Sequence, residues 1–243
     1  MNRFFTADWH LFSDMVRQLG ERPYSDVEKM NIAFIRDANQ RTHCTYKNTE
    51  TTDIYGQKTI IKTPVGQDVI YHVGDFFKKE AANKLKPEDI LTLINARMIL
   101  LSGNHDANNR VKAVADCITI DLGIYKNVTI SHFPSYADES KCLHLPPHSI
   151  HICGHVHKLF KWAYDKYNDI LNVNVGMDVW NYHIVSEQEL TAYITFALQR
   201  LPNTFIGKDT YYKDYVITND KKTLTEKTNE REEGRPKIWI ENK

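Results

Sequence analysis

The chain has 243 residues, 42% of them hydrophobic, with 31 lysines and arginines against 31 aspartates and glutamates. That size suits one large α/β domain or two small ones, and the hydrophobic share is ordinary for a globular protein. The balanced charge argues against a broad basic face for duplex DNA, though not against a local patch, and no apolar run reaches the length that spans a bilayer.

In chain order, FFTA (4–7) reads as a short buried strand. The stretch 24–40 carries Val27, Met30, Ile32, Phe34 and Ile35 at helical spacing, with Ser25 and Glu28 in capping-box positions. Residues 41–67 are rich in Thr and hold Tyr46, Tyr55, Ile60 and Ile61, a composition that predicts a hairpin or extended insertion near the site, with the two tyrosines as substrate-lid candidates. Strands come next at DVIYHV (68–73) and MILLS (98–102), on either side of a helix over 86–96 with Pro87 in its first turn. NVTIS (127–131), SIHIC (149–153) and ILNVNV (170–175) are three further strands, and 186–200 is a helix capped by Ser186 and Glu189. From 202 the chain turns polar and charged, so residues 1–201 are expected to form the domain and 202–243 an extension, with IWI (238–240) docking as an edge strand. Strands alternating with helices predict an α/β layered fold, and the close succession of later strands predicts a mixed sheet.

Cys44, Cys117, Cys142 and Cys153 are widely spaced and read as reduced thiols. The first residues, MNRFFTADWH, hold too short an apolar segment for a signal peptide, so a cytoplasmic protein is expected.

The residues at the carboxyl end of each apolar run are more telling. FFTA leads into Asp8-Trp9-His10, DVIYHV into Gly74-Asp75, MILLS into Gly103-Asn104-His105-Asp106, NVTIS into His132, and SIHIC into Gly154-His155-Val156-His157. Five strands end in residue types that ligate metals, and ligands of α/β sheets bind beyond the carboxyl ends of strands. Asp8 and His10, like His155 and His157, are two apart and would project to one side of extended backbone. Mixed nitrogen and oxygen donors without cysteine suit Mn, Fe, Zn, Co or Ni rather than a closed structural zinc site. Seven donors exceed the need of one ion, and two ions sharing a carboxylate is the economical solution.

The ordered set D-x-H, G-D, G-N-H-D, H and G-H-x-H over residues 8–157 resembles the calcineurin-like metallophosphoesterases, and NVNVGMDVWNYHIVS (172–186) resembles the closing segment of short bacterial and phage-type members. The resemblance implies a four-layer α/β fold, a mixed β-sandwich flanked by helices, with a dinuclear metal site at the carboxyl ends of strands. It implies that Asp8, His10 and His157 hold one ion, that Asn104, His132 and His155 hold the other, and that Asp75 bridges them. His105 would be a catalytic group beside the phosphate, with Asp106 orienting it. Two divalent ions, Mn²⁺ foremost, with Fe, Zn, Co, Ni or Mg as alternatives, would lower the pKa of a bridging water so that hydroxide attacks phosphorus.

Three functions compete on these residues. The first is a phosphomonoesterase on a small phosphorylated substrate of nucleotide type, with no membrane and no extended duplex nucleic acid as partner. The second is a phosphodiesterase on cyclic nucleotides or nucleic acid ends, and the third a metal-binding scaffold without catalysis, ranked last because His105 and every donor position are present. Phe76-Phe77-Lys78 after Asp75, and Asp106 in place of Glu, depart from the protein serine/threonine phosphatases. Leu11 is expected to narrow the site near His10. His43, His72, His144, His148 and His151 read as structural, His183 lies beside the closing segment, and Asp178 reads as a turn or supporting residue.

Overall fold

A computed structural model describes residues 1–79, 85–135 and 144–201, together with the backbone of 215–218 and 237–240. Cys142 and most of the charged tail lie outside the described residues; Cys44, Cys117 and Cys153 are free thiols. No described helix is long and apolar enough to cross a membrane.

The chain runs β1 (Arg3–Thr6), α1 (Asp14–Leu19), α2 (Val27–Arg41), β2 (Cys44–Thr52), β3 (Lys58–Gln67), β4 (Val69–Val73), α3 (Pro87–Leu91), β5 (Arg97–Leu101), β6 (Cys117–Leu122), β7 (Tyr125–Ser131), β8 (Ser149–Cys153), β9 (Trp162–Asp165), β10 (Ile170–Asn174), β11 (Val185–Ser186), α4 (Glu187–Leu198), β12 (Tyr215–Thr218) and β13 (Lys237–Ile240). Both large sheets are mixed. One has the order β11-β1-β4-β5, with β1, β4 and β5 parallel and β11 antiparallel; the other has the order β13-β12-β9-β10-β8-β7-β6. The segment containing IWI forms β13, the edge strand expected from its composition.

Alternation along the strands decides the layers. Phe5, Ala7, Val73 and Leu101 of the first sheet meet Val128, Ile130, Ile152, Leu171 and Val173 of the second in one apolar core, and Leu190, Ile194 and Ala197 of α4 join it. The alternate residues Phe4, Ile70 and Leu100 face Met30, Phe34 and Ala38 of α2 and Ile90 by α3. Among the described residues the helices therefore cover the first sheet and close one edge of the sandwich, a mixed α/β arrangement consistent with the calcineurin-like fold the resemblance implies. In part of the second sheet, residues that alternate with the sandwich-facing positions form a buried polar network in which His151 bonds Ser131 Oγ at 2.8 Å and Asn172 Oδ1 at 3.1 Å.

Two predicted helices begin or end differently. The N-cap of α2 is Asp26, whose carboxylate accepts the Lys29 amide at 2.8 Å, one residue beyond the expected Ser25, because a charged acceptor caps more strongly than a hydroxyl. α3 stops at Leu91: the Thr92 hydroxyl donates to Asp89 O at 2.7 Å, and the amides of Leu93 and Ile94 turn back three residues to Ile90 and Leu91. The Ser186–Glu189 capping box on α4 forms as expected.

Residues 44–67 form the β2–β3 hairpin, but not beside the site. The hairpin joins β4 at Asp68, and β4 runs for five residues, about 17 Å at strand rise, before it reaches Asp75. Every described side chain from Thr45 to Gly66 is exposed, so the arm does not fold back over the body. Tyr46 and Tyr55 are therefore excluded as a substrate lid.

His72, on β4, is fully buried, edge-on to Trp9 and Phe76, and neither ring nitrogen has a hydrogen-bond partner. Burial pushes its pKa down to about 3, and burial pushes that of His151 down to about 4. Both are neutral when folded and free to protonate when unfolded, so stability is full above the unfolded value near 6.5 and falls as pH drops from there toward 3 to 4; each costs about 2 kcal/mol at pH 5. His72→Phe is expected to raise stability by about 1 kcal/mol at neutral pH and to flatten the decline between pH 7 and 5, measured by urea unfolding. A less stable variant would show that the ring has a polar partner.

Candidate metal centre

The two sheets meet at the carboxyl ends of β1, β4, β5, β7 and β8, and the loops there interlock. Asp8 N–H donates to Gly74 O at 3.0 Å and His10 N–H to Asp75 O at 2.9 Å, while Gly154 N–H donates to His132 O at 3.0 Å and Met177 N–H to Ala7 O at 3.2 Å. Asp8, His10, Asp75, His155 and His157 all take left-handed backbone, with φ of 57°, 46°, 58°, 71° and 47°. Such a conformation costs on the order of 1 kcal/mol for each non-glycine residue, and its clustering marks a site that surrounding contacts over-determine. At Gly74 (φ 88°) and Gly103 no side chain would fit, since a Cβ on the first would strike the His132 ring and one on the second the Asp75 carboxylate.

Within this frame the donors converge. Asp8, His10 and His157 bring ligand atoms within 4.8 Å of one another, and so do Asp8, Asp75 and His132. Asp75 Oδ2 stands 3.5 Å from His10 Nε2 and 3.4 Å from His132 Nε2, between the two sets. On the far side, Asn104 Oδ1 is 3.0 Å from His132 Nε2 and 3.0 Å from His155 Nδ1. All seven expected donors thus gather at one locus. Asp8, His10, Asp75 and His132 are buried, whereas Asn104 and His105 are exposed, so the cluster opens to solvent on the Asn104 side.

The chemistry of the set fits divalent cations. His10 Nε2 is buried without a hydrogen-bond partner. His132 Nδ1 donates to Val73 O at 2.8 Å, which turns the other ring nitrogen, as a lone pair, toward Asn104 and Asp75. In the absence of a cation these groups share protons instead. Burial lowers the pKa of His10 to about 3; burial also disfavours the charged form of His132, but Asp75 and Asp8 outweigh it and lift its pKa to about 9. Burial, with Asp75 and Asp178 nearby, lifts the Asp8 carboxyl to about 6. Asp75 would likewise rise on burial, yet His132, His10 and the His105 amide hold it below the usual carboxylate range.

Asp106 takes a different place from the one expected. Its Oδ2 accepts Gly103 N–H at 2.7 Å and Asp75 N–H at 2.8 Å, and its Oδ1 accepts Phe76 N–H at 2.9 Å. The carboxylate pins the turn that carries Asp75 rather than orienting the His105 ring. The His105 amide donates to Asp75 Oδ1 at 2.9 Å, Asn109 Nδ2 donates to His105 O at 2.7 Å, and the His105 ring lies edge-on to His10 with centroids 5.5 Å apart. Leu11 is buried in the core under α2 and does not narrow the site. His183 bonds Asp37 at 2.6 Å and fastens the closing segment to α2, outside the cluster.

Support from outside the motifs comes from Arg22 and Asp178, both with fully buried side chains. Asp178 Oδ2 takes His157 Nδ1 at 2.7 Å, leaving Nε2 to face the cluster, and Arg22 grips the same carboxylate through two nitrogens at 2.9 Å. Arg22 also donates to Asp8 O at 2.7 Å and Trp9 O at 2.9 Å, joining the two ligand loops. Asn174 holds the His157 loop by donating to His157 O at 2.8 Å. Arg22 lies far from every motif, between α1 and α2, and nothing in the sequence marks it.

Comparisons with known proteins establish the family and the fold. The model of the calcineurin-like phosphoesterase superfamily domain matches residues 30–195, and the chain belongs to that superfamily. Asp8 and His10 precede the matched span. An uncharacterized protein of Methanocaldococcus jannaschii, MJ1445, is 26% identical over 184 residues, covering 75% of this chain and 85% of its own. The protein of unknown function AQ665 from Aquifex aeolicus shares the fold at a TM-score of 0.51 and 17% identity, over 79% of this chain and 98% of that one.

Three substitutions separate support from ligation. Asp178→Asn is expected to weaken Mn²⁺ affinity about 10- to 100-fold by calorimetric titration, and an unchanged affinity would contradict the role of the Arg22–Asp178 pair. Asp106→Ala strands three amides and is expected to cost about 3 kcal/mol or more in urea unfolding, whereas His105→Gln should leave stability unchanged.

Proposed function

We propose that the protein is a dinuclear metal-dependent phosphomonoesterase acting on small, nucleotide-type phosphate esters. The observation that carries the reading is the position of Asp75 Oδ2, 3.5 Å from His10 Nε2 and 3.4 Å from His132 Nε2, where one carboxylate oxygen can serve two adjacent cations. Asp8, His10 and His157 would hold the first ion, Asn104, His132 and His155 the second, and Asp75 would serve both. Two divalent ions held there supply Lewis-acid charge to the phosphoryl oxygens and acidify water at neutral pH, with Mn²⁺ the leading choice.

The chain's own residues do the rest. The solvent opening beside Asn104 admits the ester with its phosphate toward the buried carboxylates. His105, on that opening and fixed through its amide to Asp75 and its carbonyl to Asn109, gives a proton to the departing alkoxide oxygen. Arg22 and Asp178 keep His157 in one ring orientation, so the donors stand ready before substrate arrives. The nucleotide preference rests on the resemblance to short phage-type members and on the neutral charge, which suits a small substrate better than a polyanion.

With Mn²⁺, hydrolysis of nucleoside monophosphates to nucleoside and phosphate is expected to exceed hydrolysis of cyclic nucleotides to monophosphates and of oligonucleotides to shorter fragments, followed by chromatography of the products. Activity confined to oligonucleotides would overturn the substrate class and favour a phosphodiesterase. His105→Gln should retain its metals and lose about two to four powers of ten in kcat, while Asp75→Asn should lose both metals and turnover. Loss of the metals in His105→Gln would remove His105 from the acid role.

A further inference from the structure

The β2–β3 arm is built as a contact surface at the pole opposite the metal centre. Its strands pair continuously from Cys44–Gln67 to Thr52–Lys58 and close through a turn at Asp53–Gln57, where Asp53 Oδ1 caps the amides of Tyr55 and Gln57 at 2.8 Å each. Apart from each other, β2 and β3 have no extensive contact with any described element. A two-stranded ribbon with both faces and both edges in water is at best marginally stable. It also leaves one row of backbone N–H and C=O groups open along each strand.

The side chains are not those of a solvated arm. Tyr46, Ile54, Tyr55, Ile60, Ile61 and Val65 are all exposed, Ile54 by 91% and Tyr55 by 87%. Together they offer on the order of 800 Å² of largely apolar surface, about what one side of a standard-size protein interface buries. Apolar residues lie on both faces, since Ile60 and Ile61 are neighbours on β3. Charge points away from a polyanion: between Cys44 and Gln67 three lysines stand against two acids, and Lys58 is paired with Glu50 at 2.5 Å.

We propose that the arm is a dimerisation element, pairing with the same arm of a second copy of this chain across a two-fold axis. Such pairing is isologous, so each arm supplies the open strand edge and the apolar side chains that the other lacks, at matched concentration and with no charge to neutralise. One face and the tip of each arm, with Tyr46, Ile60, Ile54 and Tyr55, pack on the partner's, and the paired edges add backbone hydrogen bonds. The metal centres stay free, because β4 separates each from its arm. Pairing through the arm is independent of the catalytic activity.

Sedimentation velocity of the full chain from low to high micromolar concentration tests it. The wild type is expected to sediment at twice the chain mass. Ile60→Glu with Ile61→Glu should weaken self-association at least about a hundredfold while leaving metal-dependent hydrolysis of an aryl phosphate within a factor of about two of wild type. Should that variant fail to fold by circular dichroism, Ile54→Ser with Tyr55→Ser at the tip leaves the strands intact and should also shift the protein toward monomer. Ile60→Cys should form an interchain disulfide under mild oxidation. A wild type that is monomeric throughout, a dimer that survives the foldable variants, or arm-dependent binding of duplex DNA by the monomer would overturn the proposal.

Discussion

Asp8 and Asp75 lie buried at the junction of two sheets, among four imidazoles and one amide oxygen, and that concentration of polar groups is the constraint around which the structure is arranged. Carboxylates out of water are costly unless cations or donors surround them, and imidazoles facing them can supply protons only at the expense of their own burial. The result is a set of displaced equilibria: burial holds His10 neutral and raises Asp8, while His132 and Asp75, facing each other, overcome burial so that the one is raised and the other depressed. Divalent cations bound among these donors would offset all four at once.

The fold bears the cost of assembling them. Five of the donors sit on left-handed backbone, and Asp and His tolerate that region better than most side chains. The loops are held there by two ties: Arg22 joins the Asp8 loop of one sheet to the His157 loop of the other through Asp178, and Asp106 locks the Asp75 turn within the first sheet. Both ties are buried, multivalent and made by groups that contribute no ligand of their own. Orientation is therefore fixed before an ion or a substrate arrives, which is what lets a mainly apolar sandwich present a polar edge.

Much of this is legible in the sequence, for a local reason. Strand-length apolar runs ending in Asp, His or Asn identify both the strands and the end on which donors collect, and all seven donors do meet. The features that stay hidden depend on partners distant along the chain. Asp106 adjoins His105 and so suggests a dyad, whereas three backbone amides, two of them about thirty residues upstream, claim its oxygens. Arg22 stands in no motif, and its partners, the carbonyls of Asp8 and Trp9 and the carboxylate of Asp178, meet it only in the folded chain. The arm is the hairpin its composition predicts but not the lid its tyrosines suggest, since its position ahead of β4, with Asp75 behind that strand, places the two at opposite ends. The polar network around His151 also stays hidden, because its alternation along β8 resembles that of any half-buried strand.

The proposed function assigns two cations to this cluster of donors. The most direct measurement is titration of chelator-treated protein with Mn²⁺, with bound metal determined by elemental analysis and thermal unfolding recorded in the same samples. Saturation is expected at two ions per chain, with a rise in unfolding temperature as they bind. Saturation at fewer ions, or an unfolding temperature indifferent to bound metal, would contradict the two-cation cluster.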